Sequence, residues 1–175
     1  MKTECRLGSL CKYDSFVPNE INLKAKLIVI AQNPGQTEVQ LGKPLVGKSG
    51  IAWEEAINSI GLKREDFSIY NAILCKGKFN DPIQEDIRAY SCFTYLRKAL
   101  LENDNNIIWC MGKLPALFFR YGGQIINQDI VINTTEATTG RAFKVLVTPH
   151  PSYLLRNNII DKLRDYVRRY QSLFW

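Results

Sequence analysis

The chain has one histidine, His150, among its 175 residues. It also lacks any long apolar run. Stretches such as Leu27 to Ala31 fall far short of the ~20 residues that a membrane-spanning helix needs. The N-terminus, Met1-Lys2-Thr3-Glu4-Cys5, has no apolar core of the kind that directs export. No internal repeat or low-complexity tract is visible. These absences predict a soluble, cytoplasmic protein. The five cysteines, at 5, 11, 75, 92 and 110, are an odd number in a chain without an export signal. That pattern argues against structural disulfides and for metal ligation or burial. Cys110 lies inside an apolar run and is expected in the core.

What is present fits a globular domain: 46% hydrophobic residues against 23% charged, which excludes disordered and fibrous classes. At this length the chain is expected to fold as a single domain over residues 1–175 and as a monomer. The formal charge of +6 leans toward a polyanionic partner, although many basic proteins bind no nucleic acid. The cations of the last helix read as a solvated face. Lys43, Lys48, Lys76, Lys78 and Arg156 lie in loops and are better placed for phosphates.

Apolar, β-branched runs alternate with segments of helical spacing. Residues 26–32 read as a buried strand stopped by the turn Asn33-Pro34-Gly35. Residues 49–60 have helical spacing with Gly61 as a stop, and 67–74 form a second strand. Asp81 and Pro82 open a long helix to about 102, as N-cap and first helical residue. A third strand at 106–111 and a short helix near 114–121 follow. Residues 128–133 are an extended piece in an ambiguous region, 143–147 form the last core strand, and 158–174 a C-terminal amphipathic helix. The pattern predicts an α/β fold: a three-layer α/β/α sandwich around a central, mainly parallel four-stranded sheet.

Ligands of such sheets bind beyond the carboxyl ends of the strands. Three polar segments fall there: Gln32-Asn33-Pro34-Gly35, Asn71, and His150-Pro151-Ser152. The two prolines around His150 place its imidazole on a stiff loop.

The segments Ala31-Gln32-Asn33-Pro34-Gly35-Gln36-Thr37-Glu38, Gly42-Lys43-Pro44-Leu45-Val46-Gly47-Lys48-Ser49-Gly50, Tyr70-Asn71-Ala72-Ile73-Leu74-Cys75-Lys76 and His150 to Arg156 together resemble the uracil-DNA glycosylases. The resemblance is closest to the iron–sulfur class, often called the fourth family, and runs from about Cys5 to Arg156. It implies a DNA N-glycosylase that hydrolyses the bond between uracil and deoxyribose and leaves an abasic site. Such an enzyme needs a base flipped into a pocket and donors aimed at the departing anion.

The same resemblance implies roles for individual residues. Asn71 reads the pairing edge of uracil with one donor and one acceptor. His150 donates toward O2 of the base, and Asn33 orients water by hydrogen bonding, since an amide is no base. Gln32, Gly35, Glu38 and Leu45 line the base site. Glu38 holds water, crowds the 5-position, or is a solvated loop residue. Lys48, Ser49, Ser152 and Arg156 hold phosphates, Ser49 near a helix N-terminus. Leu154 and Leu155 form a wedge that fills the hole left by the base, or pack the loop onto the last helix.

Cys75 and Cys92 resemble the family's third and fourth cluster ligands. Cys5 and Cys11, with five residues between them where the family has Cys-x-x-Cys, complete a set of four. The resemblance favours a [4Fe–4S] cluster. Four-cysteine zinc and separately buried thiols stay open. The family's phenylalanine in the Gly-x-Pro-Phe-Val-Gly loop is Leu45 here. With Gly35 and Asn33, it leaves two alternatives to uracil excision: a glycosylase for a 5-substituted pyrimidine, or a catalytically weak DNA-binding relative.

Overall fold

The computed structural model describes residues 15–25, 27–77, 82–119, 129–135 and 139–174, with only the backbone for 82–86. Five strands form one sheet in the order β2-β1-β3-β5-β4. They are β1 (Leu27–Ala31), β2 (Phe67–Asn71), β3 (Ile107–Met111), β4 (Ile130–Thr135) and β5 (Ala142–Thr148). The first, second, third and fifth are parallel, as expected. The expected strand count of four is corrected to five by β4, which pairs antiparallel with β5 at the edge. None of its residues is fully buried, and its apolar run is only Ile130 to Ile132.

Each parallel strand feeds two cores because successive side chains point to opposite faces. Ile28, Ile30, Ile108, Cys110, Val145 and Val147 pack on one face with Ala89, Cys92, Leu96 and Leu100 of α3 (Pro82–Leu101). Leu27, Val29, Trp109, Met111 and Leu146 pack on the other. There they meet Trp53, Ala56 and Ile57 of α2 (Lys48–Asn58) and Leu163, Tyr166 and Val167 of α6 (Asp161–Arg169). Cys110 is fully buried, and burial pushes its thiol pKa up. The helices on the two faces give the three-layer sandwich. No described helix is long and apolar enough to cross a membrane.

Four shorter helices complete the description: α1 (Gln36–Leu41), α4 (Lys113–Phe118), α5 (Pro151–Arg156) and α7 (Gln171–Phe174). Two of them correct the sequence reading. Glu38 lies on α1 instead of in a loop, and Pro151 opens α5 at the point where a loop was expected. The C-terminal helix expected as one piece is broken at Tyr170, between α6 and α7. Outside β2, residues 15–20 run along the sheet edge, with Val17 N donating to Leu74 O at 2.9 Å and Glu20 exchanging two backbone bonds with Ile69.

The ends of β3 and β5 are tied together beneath His150. Trp109 Nε1 donates to Thr148 Oγ1 at 2.9 Å, and Gly112 N donates to Thr148 O at 2.7 Å. The Trp109 ring also stacks on Phe174, 5.6 Å between centroids. Trp109→Phe keeps a stacked ring but removes the donor from a fully buried pair, so urea melts are expected to show a loss of about 1–3 kcal/mol. A change within ~0.5 kcal/mol would contradict this tie.

Candidate active site

All four parallel strands deliver polar groups to the same edge of the sheet. The turn 32–35 follows β1, Asn71 ends β2, Gly112 follows β3, and His150 lies two residues past β5. The strand order changes direction around β1 and β3, the topological position where open α/β sheets bind ligands. The three segments that the sequence placed at strand ends therefore do converge on one edge.

Asn71 is 2% exposed, and its Nδ2 is buried with no hydrogen-bond partner among the described residues. Its backbone N–H donates to Asn19 Oδ1 at 3.2 Å, and Ala31 is its neighbour across the sheet. An amide left unmatched in the interior costs about 1–3 kcal/mol of desolvation, so a ligand that pairs with it recovers that energy.

His150 caps α5. Its Nδ1 accepts the Ser152 backbone N–H at 3.1 Å and lies 2.8 Å from Ser152 Oγ. A backbone N–H can only donate, so Nδ1 must be unprotonated. The neutral ring then carries its proton on Nε2. Burial pushes the pKa of His150 down to about 4, and the positive charge of Arg156 adds to the shift, while Glu38 opposes it. The residue keeps a partly exposed surface, so the ring is deep but not sealed off. Gly112 packs close by: a Cβ there would sit 3.3 Å from His150 Cβ.

Glu38 corrects the sequence expectation. It is 9% exposed, and its carboxylate is occupied by three backbone amides. Oε2 accepts from Gly35 N at 2.9 Å, and Oε1 accepts from Val46 N at 3.0 Å and Gly47 N at 2.7 Å. It does not lie in a solvated loop; its carboxylate stitches the turn after β1 to the loop before α2. Gly35 is explained by the same contact, because a Cβ there would lie 2.6 Å from Glu38 Oε2. Asn33 is half-buried and donates from Nδ2 to Pro34 O at 3.0 Å, which leaves Oδ1 as its acceptor. Gln32 is half-buried, and its carbonyl accepts from Ile73 N at 2.9 Å.

Leu45 is a second correction. It is 4% exposed, packed in the core with Trp53, and has a left-handed φ of 52°. Its side chain is core and offers no open face to a base. Of the two readings for Leu154, wedge or packing onto the last helix, the structure shows the packing: it is fully buried in that same core, while Leu155 beside it is partly exposed. Lys48 and Ser49 open α2, Lys48 exposed and Ser49 partly so, and Arg156 is exposed at the end of α5. The Ser152 hydroxyl is engaged with His150.

Cys75 and Cys92 are both buried, Cys92 against the core on the α3 face, and neither is in a disulfide. Arg88, one helical turn before Cys92, donates to the Cys75 carbonyl. Ser15 and Lys76 exchange hydrogen bonds, with Lys76 N donating to Ser15 O at 3.1 Å. The first described residue, Ser15, therefore lies beside the residue that follows Cys75. Cys5 and Cys11 themselves lie outside the described residues.

A family model described as the uracil DNA glycosylase superfamily matches residues 18–174. The chain belongs to this superfamily. Three relatives are named type-4 uracil-DNA glycosylases. That of Thermotoga maritima is 31% identical over 89% of this chain and 84% of its own length. That of Archaeoglobus fulgidus is 32% identical over 86% and 78%, and that of Saccharolobus solfataricus 33% identical over 93% and 79%. Within this glycosylase fold, sequence reading missed three supporting residues: Asn19, Gly112 and Arg64. None lies in a recognisable motif, and each acts through a contact distant in sequence.

As the only histidine, His150 gives a single imidazole signal. The folded pKa lies below the ordinary value of 6.5, so the fold favours the neutral ring. This contribution to stability is present above pH ~6.5 and is lost as pH falls from there through about 4. Nitrogen-15 NMR is expected to show the Nε2–H tautomer titrating near pH 4; a midpoint near 6.5 would contradict the buried geometry. Leu154→Ala is expected to lower stability by about 2–5 kcal/mol, and Leu155→Ala by less than about 1, in chemical denaturation. The reverse order would contradict their burial.

Proposed function

We propose that this chain is a monofunctional DNA N-glycosylase that hydrolyses the N-glycosidic bond of uracil in DNA and leaves an abasic site. The observation that carries the reading is the buried, unmatched Nδ2 of Asn71 at the carboxyl end of β2. With Nδ2 donating to O4 and Oδ1 accepting from N3–H, Asn71 fits uracil. Cytosine presents the opposite pattern and leaves both atoms mispaired.

The bond breaks as the sugar gains oxocarbenium character and the base leaves as an anion. The fixed Nε2–H of a neutral His150 is the donor that stabilises negative charge on O2. Ser152 keeps that tautomer and orients the ring. Asn33 holds water through Oδ1, enough for a nucleophile that arrives late. Gln32 and Gly35 line the base site beside Asn33. Lys48, Ser49 and Arg156 contact phosphates, where a basic chain gains affinity that salt weakens. Leu155 is the wedge that enters the stack.

The cysteines fit a [4Fe–4S] cluster. Arg88, on the helix that carries Cys92, donates to the Cys75 carbonyl, and Ser15 exchanges hydrogen bonds with Lys76 beside Cys75. Cys5, Cys11, Cys75 and Cys92 would hold the cluster, whose thiolate ligation joins three distant segments without taking part in the hydrolysis. Anaerobically purified protein is expected to carry four irons per chain and absorb near 400 nm, and Cys75→Ser to lose both. One zinc per chain would contradict the cluster.

Uracil-containing oligonucleotides, followed by alkaline cleavage, test the activity. The wild-type chain is expected to cut at uracil, and Asn71→Asp to lower the rate by about 100-fold or more. A 5-substituted pyrimidine preferred over uracil would replace uracil as the substrate. Tight DNA binding without product from any base would overturn the reading.

A further inference from the structure

We propose that Arg64 is a positioning residue for this glycosylase: its guanidinium fixes the loop 44–47, and through that loop both the Asn33 turn and the start of α2. The proposal rests on the glycosylase reading and adds a residue that no motif marks.

Arg64 opens the short 3-10 turn before β2, and all five of its N–H donors are used. Nε and Nη2 bind the carboxylate of Glu20 at 3.1 and 2.8 Å, and Nη1 binds Glu54 Oε1 at 2.8 Å. The two remaining donors go to backbone carbonyls: Nη1 to Leu45 O at 2.9 Å and Nη2 to Pro44 O at 2.6 Å. One side chain thus joins the edge segment along β2, helix α2 and the loop before it. The side chain is only 16% exposed, so these bonds are shielded from water.

The loop needs such a hold. Leu45 sits at φ 52°, a conformation unusual for a leucine. Its carbonyl also lies against Gly50, where a Cβ would come within 2.1 Å of the oxygen. The loop's next two amides, Val46 and Gly47, bind Glu38. The loop is therefore held by a cation on its carbonyls and an anion on its amides. Glu38 passes this constraint to Gly35, two residues past Asn33, and Gly47 passes it to Lys48 and Ser49. Lysine cannot replace the fork, because one ammonium has three donors and no planar geometry to span two carboxylates and two carbonyls.

The test compares wild type, Arg64→Met and Arg64→Lys in the full chain, at a temperature where melting curves show each to be folded. Arg64→Met is expected to raise KM for uracil-containing DNA and lower kcat, each about tenfold. It is also expected to shift the NMR signals of the Val46 and Gly47 amides, while the His150 imidazole signal stays in place. Arg64→Lys is expected to recover only part of both constants. Wild-type kcat and KM in either folded variant, with only a lower Tm, would overturn the proposal. If Arg64→Met fails to fold, Arg64→Lys alone decides in the same way. An inactive wild-type chain would count against the glycosylase reading instead, because the amide shifts are read without substrate.

Discussion

The carboxylate of Glu38 accepts three backbone amides from the two loops that flank its own helix, and the site's geometry follows from that grip. Gly35 belongs to the turn that presents Asn33, and Val46 and Gly47 to the loop that delivers Lys48 and Ser49 to the start of α2. Charge-assisted bonds to amides are stronger than neutral ones, and here they are shielded by burial. Arg64 supplies the complementary charge on the other side of the same loop. The turn that carries Asn33 and the start of α2 are in this way held in one frame.

The frame matters because the chemistry has few strong groups. Among the described residues of the site the carboxylate, Glu38, already accepts three backbone amides, and position 33 is an asparagine. In the proposed reaction the departing base meets donors already in place: Nδ2 of Asn71, buried and unmatched, and Nε2–H of a His150 kept neutral by burial and by the Ser152 amide at Nδ1. Preorganised dipoles of this kind stabilise developing charge without reorganising when it forms. The parallel sheet makes the arrangement possible, because its four parallel strands end at one edge.

Much of this was legible in the sequence. Apolar runs marked the four parallel strands, and Asn33, Asn71 and His150 followed strand ends where the topology had to bring them together. The edge strand β4 was left ambiguous because half-exposed positions dilute its apolar signal. Glu38 and Leu45 were placed toward a ligand, and Leu154 was left between wedge and packing, for a common reason. Each sits in a motif at the strand ends, but its side chain turns inward, and adjacency in sequence does not reveal that turn. Leu154 and Leu155 differ in exposure although they are neighbours, because on α5 only one of the two faces the core. Arg64 was invisible for the opposite reason: its partners at 20, 44, 45 and 54 lie in segments that no local pattern connects.

The claim that Glu38 acts by holding backbone, and not by touching water or base, is tested most directly by amide hydrogen exchange on Glu38→Gln alongside its excision rate. Glutamine keeps one acceptor oxygen but turns an NH2 toward amides that can only donate. The account expects the Gly35, Val46 and Gly47 amides to lose protection together, with excision falling alongside. Full protection of all three amides with excision abolished would contradict it, and would make Glu38 a participant in the reaction itself.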